Sequence, residues 1–441
     1  MILICFILCL VACYLLIGQI TIQNIILKIA VSVFVAMSFL SLSFSLFLFA
    51  GINFIIFEVC LIVLPLLIIV QKLKKSQREN VFFKSLKGFP FPVLVTILLG
   101  ILLFSYRFFT NITRWGEWDA WAIWSQHAKF LSDADYFTNL FTNKIAWTHP
   151  DYPLMLPSLI AMVWKSFGNT LAIVPALLSY TIAFAMIVLI MSSFFEKKFW
   201  LSGVIITLLF SATSILFPYV LSQFSDTLLA CFILLPFVVL NHLPQSKSVI
   251  GFILIGFLTA TCVWIKNEGL MFFAIFSFCF AIKYYKERKI IGAYIIGMVF
   301  PLGVLAIFKI FFATPSDLLM VKTNYWEKLS DRSRYEFIIN FAAEYFIQNA
   351  VLLLCLLIIV LFLNRRFYTS LPFVVIALLF LSYLSAYVVS PYGLQWHMST
   401  SFDRLVHQII PAICYAIFFS VSLKLSRSKN RENESLDNLP S

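Results

Sequence analysis

The chain has 441 residues, of which 62% are hydrophobic and 12% charged. No soluble domain has the interior to hide that share of apolar side chains, so the composition excludes a water-soluble globule and predicts a polytopic membrane protein. The formal net charge of +12 does not argue for nucleic acid, because the lysines and arginines sit in short connectors between apolar runs, the pattern that sets membrane orientation.

A membrane-spanning helix needs roughly 20 apolar residues. Runs of about that kind lie near Ile2–Gly18, Ile25–Phe49, Ile52–Ile69, Phe91–Phe109, Ala172–Phe194, Phe199–Phe217, Thr227–Leu240, Val249–Ile265, Leu270–Ile282, Ile290–Phe312, Tyr345–Leu363, Leu371–Val389 and His407–Leu423. They predict an all-α polytopic membrane protein with about 13 transmembrane helices. The nine cysteines all lie inside these runs and show no CxxC spacing, so they read as small buried hydrophobes. Basic clusters punctuate the chain at Lys72, Lys74, Lys75, Arg78, Lys84 and Lys87, at Lys197 and Lys198, at Lys283, Lys286, Arg288 and Lys289, at Arg365 and Arg366, and from Lys424 to Arg431. By the positive-inside rule all five are cytoplasmic, and the loops between them are external. Residues 1–90 are then N-terminal membrane helices with a basic cytoplasmic loop. Residues 91–424 form the main membrane module, with 111–169 as a large first external loop, and 425–441 are a polar tail expected to be disordered. Tyr152–Phe167 carries Pro153 and Pro157 and is short for a span. It is expected to lie along the outer surface with its apolar side among headgroups, a true span being the alternative.

The polar residues that a membrane chain would otherwise avoid gather in the external segments. Trp115, Trp118, Trp121 and Trp124 recur every third residue, as interface anchors or stacking surfaces. Glu117 and Asp119 sit among them, where desolvating a charge is costly unless it is paired. Asp119 is also placed to cap a helix or to pair with Arg114. In His149-Pro150-Asp151-Tyr152-Pro153 the prolines impose an extended entry. His149 and Asp151 there are metal ligands, substrate contacts or parts of a capped turn. Asp226 stands at the mouth of a helix, where an N-cap is the plain alternative. Lys266 and Glu268 share a corner as a local ion pair or part of a site. Trp396, His397 and Arg404 lie at the start of the last run. A cation on the outer side there points to an anionic partner, and a guanidinium matches phosphate well.

In order and spacing these elements resemble GT-C fold glycosyltransferases, in particular the bacterial relatives of protein O-mannosyltransferases and aminoarabinose transferases (glycosyltransferase 39-like). Asp119 stands where those enzymes carry the first acid of their external-loop motif, and Ala120 replaces the usual second acid. The stretch from Pro153 to Gly168 resembles their surface helix. Asp226, Lys266 and Arg404, with Pro411 seven residues on, match an aspartate, a lysine and an Arg…Pro element. The resemblance covers roughly Phe91 to Leu423 and implies a GT-C-like module with a catalytic first loop. It implies a polyprenyl-phosphate-linked sugar as donor and a glycan or lipid acceptor, handled at the external face of a bacterial inner membrane among its lipids. Asp119 would be the single base, with Arg404 and Lys266 on the donor phosphate. Glu117, His149, Asp151, Asp226, Trp396 and His397 would line the substrates. No particular cofactor is implied, and a divalent metal is left open. A polysaccharide polymerase or ligase, or a lipid-linked glycan flippase, are the rival classes.

Overall fold

The computed structural model describes residues 1–18, 24–75, 91–133, 135–212, 217–243, 248–316 and 324–437. Arg78, Lys84 and Lys87, expected in the first cytoplasmic loop, lie outside the described residues. The architecture is all-helical, as backbone buried in an apolar medium must satisfy its own hydrogen bonds. Among the described residues seven helices are long and apolar enough to cross a membrane: Ile25–Phe49, Phe54–Lys74, Ile173–Phe195, Ser225–His242, Arg288–Phe311, Leu371–Val389 and Leu394–Ser426. Counting one bent pair as a span makes eight. The expected thirteen is therefore not reached by length and composition. Ile2–Ile17, Val95–Asn111, Trp200–Ser211 and Val249–Ile265 are apolar but shorter. Large apolar side chains such as Leu67, Leu98, Phe278, Val299 and Phe362 are exposed, which suits faces turned to lipid.

Two expected elements come out differently. The run Tyr345–Leu363 is broken: Arg332–Asn349 meets the following helix at 98°. The first arm carries Arg332, Arg334, Glu336 and Glu344, whereas the second arm, Val351–Leu363, carries no charge. The last helix continues to Asp437 instead of ending near Leu425.

The third correction concerns the helix Met155–Phe167, which does not lie on the surface with its apolar side toward lipid. Residues Met155 to Met162 are all buried against protein. The reason is a stripe of small residues on the helix Ile25–Phe49. Ser41 donates to the Met155 carbonyl at 3.2 Å, and the Ser45 and Ser158 hydroxyls meet at 2.8 Å. Small polar residues let two backbones approach and hydrogen-bond across the gap. The segment 111–169, expected to carry helices, winds through a π-turn at Ala120–Ser125, a helix Gln126–Ser132 and two 3₁₀ turns, Phe137–Leu140 and Asn143–Thr148, before the buried helix.

Replacing Ser158 by Leu is expected to overpack this contact and cost about 1–3 kcal/mol. Ser158→Ala should cost less, since its loss is one hydrogen bond. Thermal denaturation in detergent compares the two.

Candidate functional site

The ends of several helices meet at one end of the bundle. The site is built there. Ser225–His242 begins at it, Val249–Thr261 ends beside it, Glu268–Tyr284 starts again from it, and Leu394–Asp437 passes it in its first turns.

Asp226 is the centre and is fully buried. Its Oδ1 accepts from Lys266 Nζ at 3.0 Å and from Gln408 Nε2 at 2.6 Å. Its Oδ2 accepts from Arg404 Nη2 at 3.0 Å and from Arg404 Nε at 3.3 Å. The helix cap is Phe224, with no side-chain cap bond, so the plain N-cap reading of Asp226 does not hold. The helix N-terminus still favours its charge. Arg404 Nη2 also reaches Asp119 Oδ2 at 2.7 Å, and Lys266 reaches Glu268 Oε1 at 3.0 Å. The four residues singled out in the sequence therefore converge, with Glu268 as a fifth. Exposure orders them: Asp226 0% and Lys266 4% below, Asp119 17%, Arg404 18% and Glu268 23% above. Burial opposes the Lys266 charge, yet Asp226 and Glu268 outweigh it and hold the ammonium above the ordinary lysine range.

Local backbone constraints aim these groups. Gly116 has φ +72°, and a methyl group there would run into the Ser222 carbonyl. Only glycine lets the chain cross so closely, and the next amide, Glu117, then donates to Ser222 O at 3.2 Å. That crossing delivers Asp119 to the start of the π-turn, where it makes no cap bond and pairs with Arg404. On the other side, a Cβ at Gly269 would strike the Cys262 carbonyl, so glycine permits the tight corner that carries Lys266. Trp264 anchors that corner by donating to Ser41 Oγ at 3.0 Å. Gln408 lies four residues after Arg404 on one helix face, and its Oε1 accepts from Tyr383 at 2.8 Å. Phe224 lies under the Arg404 guanidinium at 4.6 Å.

The other sequence candidates separate. Asp151 is buried and accepts from Asn267 at 3.0 Å, while its carbonyl takes Lys309 at 2.6 Å, so it braces the Lys266 corner. His149 has φ 53° and stacks on Tyr152 at 4.8 Å. Glu117 is exposed and Trp396 is 61% exposed, both outside the ion-pair chain. His397 is held by Ser390 at 2.7 Å. Trp124 is buried against Tyr152, whereas Trp118 and Trp121 stay exposed beside Trp147. His127 is also buried, with its Nε2 at 3.3 Å from the Thr148 hydroxyl. Gln408, Asn267 and Lys309 are not among the residues the sequence singles out, whereas Glu268 is, as the local partner of Lys266. A glutamine and a lysine inside apolar runs are the signals that would have found Gln408 and Lys309.

Among the described residues no group of three or more His, Cys, Asp or Glu could hold a metal. The carboxylates of the cluster face a guanidinium and an ammonium, a donor set that does not fit a divalent ion. Compared with family models, curated proteins and solved structures, the chain matches none.

Asp226→Asn leaves two cations without their buried counter-charge and is expected to destabilise the fold by about 3–5 kcal/mol, read from thermal unfolding in detergent. A pH effect is expected at His127, where burial lowers the pKa to about 3. Its neutral ring is favourable above the unfolded value of about 6.5, and the benefit is lost as pH falls toward the folded value, at up to about 1.4 kcal/mol per unit. A His127→Asn protein should show a shallower loss of melting temperature between pH 7 and 5.

Proposed function

We infer that the protein is an integral membrane glycosyltransferase that moves a sugar from a polyprenyl-phosphate donor to a glycan or lipid acceptor of the cell envelope. The observation that carries this reading is the division of Arg404 between a buried carboxylate and an outward one. Asp226 fixes the guanidinium from below, which pre-organises it as an anion seat. Asp119 occupies that seat from the open side and is the member of the pair that can leave. The arrangement matches the residues by which the sequence resembles GT-C enzymes of a bacterial inner membrane with an external site.

The chemistry follows from the charges. A glycosyl phosphodiester carries one negative charge, so it replaces the Asp119 carboxylate on Arg404 without changing the charge of the cluster. Asp119, released from Arg404, accepts the proton of an acceptor hydroxyl. The hydroxyl oxygen forms a bond to the anomeric carbon as the bond from that carbon to the phosphate oxygen breaks. One displacement gives inversion. The departing polyprenyl phosphate keeps the electron pair, and Arg404 and Lys266 stabilise the charge that grows on it. A phosphate leaves as a stable anion, so no second acid is needed to protonate it, unlike the leaving group of a glycosidase. Trp118, next to Asp119 in the chain, and Trp121 and Trp147, which pack on Trp118, offer exposed aromatic faces for sugar rings. Polar groups collected at helix ends support an enzyme over a flippase, which would place them along a path through the middle of the bundle.

The test uses Asp119→Asn protein in lipid nanodiscs. Transfer from a polyprenyl-phosphate sugar should fall by about 10²–10⁴-fold. Binding of undecaprenyl phosphate should be kept or tightened, because the competing carboxylate is gone. Transfer near the wild-type rate would remove Asp119 as the base.

A further inference from the structure

We propose that Glu268 is a substrate-binding residue that receives a hydroxyl of the donor sugar. The proposal rests on the donor reading above. It starts from an asymmetry in one carboxylate. Glu268 Oε1 is paired with Lys266 at 3.0 Å, while Oε2 is shielded and accepts no hydrogen bond among the described residues. A shielded carboxylate oxygen without a donor is a costly group to maintain, and native structures rarely keep one without a use. It is an acceptor only, so its missing partner is a donor group.

The position says which donor. Arg404, Asp226, Lys266 and Glu268 follow one another in series through direct ion pairs. A phosphate held by Arg404 and Lys266 therefore has Glu268 next to it on the Lys266 side. The group attached to that phosphate is the sugar, whose hydroxyls are the nearest hydrogen-bond donors the ligand carries. A second phosphate oxygen is excluded from Glu268 by like charge. Tyr152 lies within the field of the Glu268 charge. Together with burial, that charge raises the Tyr152 phenol well above its ordinary range, keeping it a neutral hydrogen-bonding group. Three carboxylates face two cations in the ion-pair chain, so Glu268 is not required to balance charge there. Its presence is better accounted for by a ligand.

The experiment measures binding to full-length protein in nanodiscs of four probes: undecaprenyl phosphate alone, and undecaprenyl phosphate carrying glucose, mannose or arabinose. Wild-type protein is expected to prefer at least one glycosyl form over the bare lipid by about tenfold or more, the scale of one hydrogen bond to a charged group. In Glu268→Gln and Glu268→Ala that preference should fall toward unity, while affinity for the bare lipid is kept or rises. Retained bare-lipid binding also reports that the variants are folded and that Lys266 is in place. A preference that survives in both variants overturns the role of Glu268 alone. Parallel loss of all four probes also overturns it, since Glu268 would then only prop Lys266. A wild-type protein that prefers none of the glycosyl forms overturns the donor reading itself.

Discussion

A carboxylate with no exposure to solvent, held at once by an arginine and a glutamine of the last helix and by a lysine of the corner before Glu268–Tyr284, sets the geometry of one end of this bundle. Burying Asp226 without those partners would be prohibitive, and burying Arg404 and Lys266 without Asp226 equally so. The three charges are stable only together, so the helices that carry them can pack in only one register. The Ser225–His242 helix, the Lys266 corner and the last helix are tied at that point, and Asp119 is attached from outside through the same guanidinium.

The parts of the chain that look remote from the site serve this arrangement. The helix Ile25–Phe49 touches none of the five charged residues in a direct hydrogen bond among those described. Yet Ser41 accepts from Trp264, two residues before Lys266, and donates to the start of the helix Met155–Phe167. A single hydroxyl thereby joins the Lys266 corner to the segment that follows Asp151. Asp151 closes the same connection from the other direction through Asn267. At the opposite flank, Arg334 donates to the carbonyls of Tyr387 and Val388, and Lys328 to that of Ser390, satisfying the end of the Leu371–Val389 helix next to His397. The Arg332–Asn349 helix, which bends away from its apolar continuation, is thus tied to that helix end by Arg334.

Much of this was legible in the amino-acid order. Composition made the chain a membrane protein, and nearly every apolar run contains a helix, because backbone in an apolar medium has few alternatives. Asp119, Asp226, Lys266 and Arg404 stood out because a charge near an apolar layer must have a partner. Two kinds of feature were not legible. The buried helix Met155–Phe167 reads as amphipathic, and the sequence does not say whether lipid or protein covers its apolar side. The serine stripe that decides it lies more than a hundred residues away. Likewise Glu268 reads as a local partner for Lys266, and only the packing shows that one of its oxygens is left without a donor.

Local order in the chain by itself thus determined the helical class and the residues that could not be left unpaired, since both follow from the cost of placing polar groups in an apolar medium. Tertiary structure alone decided the pairings. Asp119 meets Arg404 rather than the nearby Arg114, and Asp226 serves as a shared counter-charge rather than a cap. Charge attraction is non-specific in partner, and which carboxylate reaches which cation is settled only when helix packing fixes the distances between them.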